Sequence, residues 1–168
     1  AVATKAQTRT PFATRNDLPE EARGELVELL NARLADAFDL YSQLKQAHWN
    51  VKGSDFIQLH ELYDQVAELV LGFVDEIAER ATALGGLARG TARMAAASST
   101  LAEYPEDAVA GLDTVEVVAD RLAAFGKEAR AAIDASEEHD DMDTADLFTD
   151  ISRAVDKQLW FVEAHLQA

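Results

Sequence analysis

The chain has no cysteine, only 3 proline and 8 glycine residues, and only 2 methionines among 168 residues. The missing thiols exclude disulfides and thiolate metal sites. With so few methionines there is also little sulfur open to oxidation. Scarce glycine and proline, set against frequent alanine, favour long helices over many short strands. No uninterrupted apolar run approaches the roughly 18 residues that suggest a membrane span. The beginning of the sequence carries no apolar run of the secretory kind, so a soluble, cytoplasmic protein is expected. Positive charge is short as well. Lys and Arg total 15 against 31 Asp and Glu, a formal net charge of −16. Such a surface repels nucleic acid and attracts cations, whether counterions or a metal substrate.

What is present reads as an all-α chain of one domain, with 48% hydrophobic residues and a length able to bury a sizeable core. Residues 1–15 carry Lys5, Arg9 and Arg15 with no acidic residue and little periodicity, and read as a mobile tail. The domain is then residues 16–168. Asp17, Pro19 and Glu20 mark a helix start, with a capping-box spacing from Asp17 to Glu20. Val27, Leu30, Leu34, Ala37, Tyr41, Leu44 and His48 follow at steps of three and four, one face of a long helix. Asn50 to Gly53 break it, and Ser54 or Asp55 can cap a second helix from Phe56 to Leu84 that ends at Gly85-Gly86. A connection over 87–105, with a short helical piece near Met94 to Ala97, leads to a third helix from Glu106 to Ile133. Leu112, Val115, Val118, Leu122, Phe125 and Ala129 form its apolar face. The acidic stretch Glu137 to Asp143 is a turn. A last helix is striped by Phe148, Ile151, Val155, Leu159, Val162 and Leu166. Two short turns and one long middle crossover match the ferritin-like variant of the four-helix bundle.

The second helix has two faces to bury. With His60 at zero and about 100° per residue, Leu59, Tyr63, Val66, Val70, Phe73, Ile77 and Leu84 cluster near −100°, the bundle stripe. His60, Asp64, Asp75 and Glu79 fall at about 0°, 40°, 60° and 100°, on a face that points away from that core. Ile57, Ala67, Leu71 and Ala78 lie between them. A face mixing apolar residues with imidazole and carboxylates should pack against something, and another copy of the same helix is the natural candidate.

Distance points the same way. His60 and Asp64 are one turn apart and can share an ion, as can Asp75 and Glu79. Fifteen residues separate the two pairs, about 22 Å at 1.5 Å per residue, whereas metal ligands sit near 2.0–2.2 Å from their ion (about the zinc values). One straight helix cannot bring both pairs to one ion. An antiparallel, twofold-related copy can, and such an isologous contact creates two equivalent sites per dimer. His48, ending the first helix, lies close to the His60 turn and can complete the set. Exposed carboxylates are usually solvated and a lone histidine is more often structural. Two histidines and three carboxylates gathered on one side argue for a metal instead, and nitrogen with oxygen donors suits iron, manganese or zinc better than calcium.

The stretch KQAHWNVKGSDFIQLHELYD, continuing to VDEIAERATALGG, closely resembles the Dps family of mini-ferritins, named as DNA-binding proteins from starved cells. TRND at 14–17 and DTADLFTDISRAVDKQLWFVEAHL at 143–166 extend the likeness over most of the chain. The ligand gaps of 12, 4, 11 and 4 are highly specific. Carried over residue by residue, the resemblance implies His48, His60 and Asp64 from one subunit, with Asp75 and Glu79 from its twofold partner. It further implies a di-iron ferroxidase site between subunits and a hollow dodecamer storing ferric mineral. Hydrogen peroxide is the oxidant it implies. Trp49, beside His48, is then either a radical-quenching electron donor or a packing aromatic. Trp160 and Phe161 look like packing residues, and His139 and His165 like surface ones. Asp143, Asp146 and Asp150, on the first turns of the last helix, could line an iron-access pore by threefold repetition, or could simply complement the helix dipole.

Other readings fit less well. A classical ferritin or di-iron oxygenase places ExxH pairs inside the bundle, and no histidine here has a glutamate three residues before it. A DNA-compacting protein would rely on Lys5, Arg9 and Arg15 against the net charge of −16, although many copies could lend avidity. A bundle without metal leaves the shared His/carboxylate face unexplained.

Overall fold

The computed structural model describes residues 9–167. Five α-helices follow in order: α1 (Glu20–Asn50), α2 (Phe56–Ala83), α3 (Ala92–Ser98), α4 (Gly111–Glu138) and α5 (Met142–Glu163), with a 3-10 turn at Ala164–Leu166. The ferritin-like four-helix bundle is therefore present, with α1 packed along α2, α4 along α5, and α3 carried by the long crossover against α1. No described helix is long and apolar enough to cross a membrane.

The core is built from the expected stripes. Leu59, Tyr63, Val66, Val70, Phe73, Ile77 and Leu84 of the α2 stripe are all buried, against Leu30, Leu34 and Leu44 of α1 and Phe125, Phe148 and Ile151 from the other pair. Each such side chain contributes about 1.5–3 kcal/mol by leaving water. Tyr63 is wholly buried and its hydroxyl donates to Thr114 Oγ1 at 2.8 Å, because Thr114 spends its own proton on Gly111 O. Burial pushes the Tyr63 phenol up to about 12, only partly offset by Thr114, so it stays neutral. The α2 stop is as expected: Gly85 has φ +84, and a Cβ there would meet Phe12 O at 2.6 Å.

Several element edges differ from the sequence reading. Asp17 does not cap α1. Asn16 Oδ1 accepts from Leu18 N at 3.0 Å, which holds the chain outside the helix until Pro19, and Pro19 makes no side-chain cap. Asp55 stands at the N-cap of α2, also without a side-chain cap bond. The third long helix begins at Gly111, five residues late, because residues 109–111 first pair with the α1–α2 turn: Lys52 N donates to Val109 O at 2.8 Å and Gly111 N to Lys52 O at 2.9 Å. Leu112 is consequently 54% exposed rather than core. The same helix runs on to Glu138, so only 139–141 remain as the turn. Ala67 is buried in the core instead of lying on the outer face, while Trp160 is 59% exposed with its ring against Phe161. His139 is half-buried with its Nε2 3.0 Å from a Glu25 carboxylate oxygen, and His165 Nδ1 bonds Val162 O at 3.0 Å. Lys5 lies outside the described residues. Farther along the segment read as a tail, Phe12 N donates to Gly85 O at 3.1 Å and Arg23 reaches Thr10 Oγ1 at 3.0 Å.

The tight α4–α5 turn depends on Asp141. Its buried carboxylate caps α5 through Thr144 N at 3.1 Å and also binds Arg80 of α2 at 2.9 Å. Burial opposes its ionisation, but bonds from the Thr144 hydroxyl and amide and from the Arg80 guanidinium outweigh that and hold the carboxyl below its ordinary range. Asp141→Ala is expected to cost about 2–4 kcal/mol, the sum of a lost cap and an unpaired Arg80. Because the folded-state value is depressed, this contribution is present above the ordinary carboxylate range near pH ~4 and disappears as pH falls through the lowered value. Urea-unfolding midpoints of both proteins across that range would check the sign and the size.

Candidate metal centre

Two histidines from adjoining helices are locked face to face by the backbone. The last carbonyls of a helix have no intrahelical partner, and His48 O, near the end of α1, accepts instead from His60 Nδ1 at 2.7 Å. Reciprocally, His48 Nδ1 bonds His60 O at 2.6 Å. A carbonyl can only accept, so Nδ1 is the donor on each ring, the arrangement that in a neutral imidazole leaves the Nε2 lone pair free. A backbone carbonyl bonded to Nδ1 in this way fixes the ring and aims its Nε2, as it does for metal-binding imidazoles. The rings stack at 3.8 Å with 16° between planes.

Asp64, one turn beyond His60 on α2, completes this end. Its Oδ1 is 3.9 Å from His48 Nε2 and 2.5 Å from Lys45 Nζ. The Lys45 hydrogen bond, against some desolvation and aided by His48, holds the Asp64 carboxyl below its ordinary range. Asp64 raises the Lys45 ammonium in return. The ammonium is thus bonded to the carboxylate that also faces the His48 imidazole. Tyr63, Asp64's neighbour in sequence, turns the opposite way into the core.

Asp75 and Glu79 lie apart from these residues. Both are exposed on α2, about 22 Å along the axis from their complements. Among the described residues, no group of three or more His, Asp or Glu of one chain forms a metal-holding cluster. Asp75 borders an open groove of about 470 Å³ with Leu34, Leu71, Val74 and Ala78. Ile57 is 61% and Leu71 44% exposed on the same helix. One chain therefore presents two half-sets of donors on an apolar-lined face.

Residues 27–168 match the ferritin-like domain family. The chain is 42% identical over 154 residues to the DNA protection during starvation protein of Agrobacterium fabrum, covering 92% of this chain and 95% of that one. To the protein of the same name from Mycolicibacterium smegmatis it is 33% identical over 158 residues, covering 90% and 82%. Among solved structures, DpsA14 from Streptomyces coelicolor superposes with a TM-score of 0.91 at 31% identity, over 97% of this chain and 96% of that one. This chain belongs to the Dps family.

Trp49 is 63% exposed beside His48, with Lys45 Nζ 5.9 Å from its ring, and it edges a groove between α1 and α3. Asp143, Asp146 and Asp150 are exposed on one side of α5, where Asp150 pairs with Arg153 at 2.9 Å. Arg9 and Arg15 are exposed. Sequence reasoning missed Lys45 and the Arg80–Asp141 tie. Lys45 stands three residues before His48, a same-face spacing that was legible, but its reach to Asp64 depends on how α1 docks on α2.

Lys45→Met removes the competing ammonium. Binding of Co(II), a redox-silent probe, is expected to tighten several-fold, about the effect of one screened charge near a cation. Anaerobic calorimetry on the full chain would read it. Equal or weaker binding would show that the ammonium does not compete.

Proposed function

We propose that this Dps protein binds Fe(II) at a site shared between two copies of the chain, oxidises it, and stores the ferric product inside a hollow homo-oligomer. His48, His60 and Asp64 of one subunit and Asp75 and Glu79 of its twofold partner are the ligands in this reading. The observation that carries it is the reciprocal clamp of His48 and His60 through Nδ1, with the His48 Nε2 3.9 Å from the Asp64 carboxylate. The complementary acids lie too far along the same rigid helix to serve the same ion. The donor set, imidazole nitrogen with carboxylate oxygen, suits Fe(II). The names of the relatives, DNA protection during starvation proteins, agree with a role in removing the reagents that damage DNA.

Iron is substrate here, and the residues do the positioning. Two Fe(II) ions held side by side can each give one electron to hydrogen peroxide. With two protons, peroxide becomes two water molecules and two Fe(III) remain. Because both electrons arrive together, no hydroxyl radical is released. This reading assigns to Trp49, next to His48 in sequence, the donation of an electron to any stray oxidising species. A dodecamer, with iron passing between the exposed acids Asp143, Asp146 and Asp150 of threefold-related chains, is the assembly this reading carries.

The shared site has a genetic test. One variant lacks the first half (His60→Ala with Asp64→Ala) and a second lacks the other (Asp75→Ala with Glu79→Ala). Alone, each has every site damaged, and its initial rate of iron oxidation should fall at least about tenfold, the scale of removing an essential metal contact. Co-assembled in one dimer, they regain one intact site of two. Stopped-flow absorbance after Fe(II) and peroxide, with mass spectrometry confirming mixed assemblies, gives the answer. Confirmed mixing without recovered activity would refute a site shared between chains.

A further inference from the structure

The clamp of His48 on His60 has a third member that the donor set does not require. Phe56, the first residue of α2, is one helical turn before His60, the spacing at which helix side chains meet. Its ring stacks on the His60 imidazole at 5.0 Å with 27° between planes, on a ring that already stacks on His48 at 3.8 Å. His60 therefore has an aromatic partner in each stack, and its Nδ1 is spent on His48 O. The approach to α2 delivers Phe56 to this place: Gly53 takes φ +122, and Phe56 N donates to Gly53 O at 3.2 Å. Phe56 stays 40% exposed, so the core does not account for its position.

We propose that Phe56 is a positioning residue for the metal-binding imidazole of His60: it closes a Phe56–His60–His48 stack that holds the His60 ring in the plane and tautomer presenting Nε2 to a metal ion. This rests on His60 being a ligand, as proposed above. Packing alone cannot fix a ring rotation if the stack is open on one side, since a single hydrogen bond at Nδ1 still permits the ring to rock about it. An aromatic face also favours the charge an imidazole gains on binding a cation. A branched aliphatic residue fills similar space without offering that face, so the geometric role and mere helix-start packing can be separated.

The experiment compares wild type, Phe56→Leu, Phe56→Tyr and His60→Ala as full chains. Anaerobic Co(II) titration followed by visible absorption reads affinity and ligand field. ¹⁵N NMR of the histidine rings without metal reads the tautomer, and thermal unfolding reads stability. Phe56→Leu is expected to bind Co(II) about tenfold more weakly, the scale found for contacts that support a metal ligand. Its His60 signals should move from the single Nδ1–H form toward an average of the two tautomers. Phe56→Tyr, which keeps the flat face, should stay close to wild type in both. Wild-type affinity and an unchanged tautomer in Phe56→Leu would overturn the proposal. So would a Phe56→Tyr variant as impaired as Phe56→Leu, or a loss of thermal stability with no change in tautomer. His60→Ala separates the two levels of inference. If it binds Co(II) like wild type, the ligand assignment itself fails. If it loses binding while Phe56→Leu does not, only the role of Phe56 fails.

Discussion

An α-helix is a ruler: it advances 1.5 Å per residue, and buried hydrogen bonds stop it from folding back on itself. Donor pairs fifteen residues apart on α2 are held apart by that ruler whatever their affinity for a cation. The same rigidity divides the helix lengthwise. One stripe, with Leu59, Tyr63, Val66, Val70, Phe73 and Ile77 at 4% exposure or less, is committed to the bundle. The donors are left on the other side together with Ile57 and Leu71, which the bundle does not cover. Under twofold pairing one act of association would cover the apolar residues and join the donors. The chemistry and the assembly would then be the same event.

Local order at the His end begins with backbone groups, to which the aromatic stacking of Phe56 and His48 on His60 is added. The carbonyl that receives His60 Nδ1 is available because α1 ends two residues later, at Asn50. Extending α1 by one turn would give that oxygen an intrahelical donor and free the His60 ring. The break at 51–55 is held in turn by the pairing of Lys52 with residues 109 and 111. The long crossover, far away in sequence, thus helps decide where α1 stops and so how an imidazole is oriented.

The helical stripes, the break after Asn50, the glycine stop after α2 and the crossover helix were all legible, because each is written in a local period or a single permissive residue. What was not legible depended on contacts between distant segments. Gly111 rather than Glu106 starts α4 because Lys52 claims the intervening backbone. Asp17 makes no cap because the Asn16 side chain turns the chain at Leu18 N, leaving Pro19 at the N-cap. At the site, the spacings put His60, Asp64, Asp75 and Glu79 on one face, yet nothing in a wheel diagram brings Lys45 across to Asp64. That contact exists only once α1 has docked on α2. Ala67 shows the limit of the wheel itself: a methyl at the edge of the outer face is small enough to be swallowed by the neighbouring helix.

Lys45 also bears on how such an assembly could exist before iron arrives. Bringing Asp75 and Glu79 of one chain beside Asp64 of another places three carboxylates together on a protein already carrying −16. Two unit charges about 4 Å apart repel by about 4 kcal/mol at the effective dielectric of a protein surface, enough to oppose pairing of two chains. The Lys45 ammonium, already bonded to Asp64, cancels one of those charges within the chain. An assembly with empty sites is then less strained than the acid count alone implies. Under the proposed shared site the cost would fall on the metal instead, which would have to displace or share the ammonium's hold on Asp64. Iron affinity and assembly stability would then be set against each other at this one lysine, a neutral residue there favouring the cation and weakening the iron-free dimer.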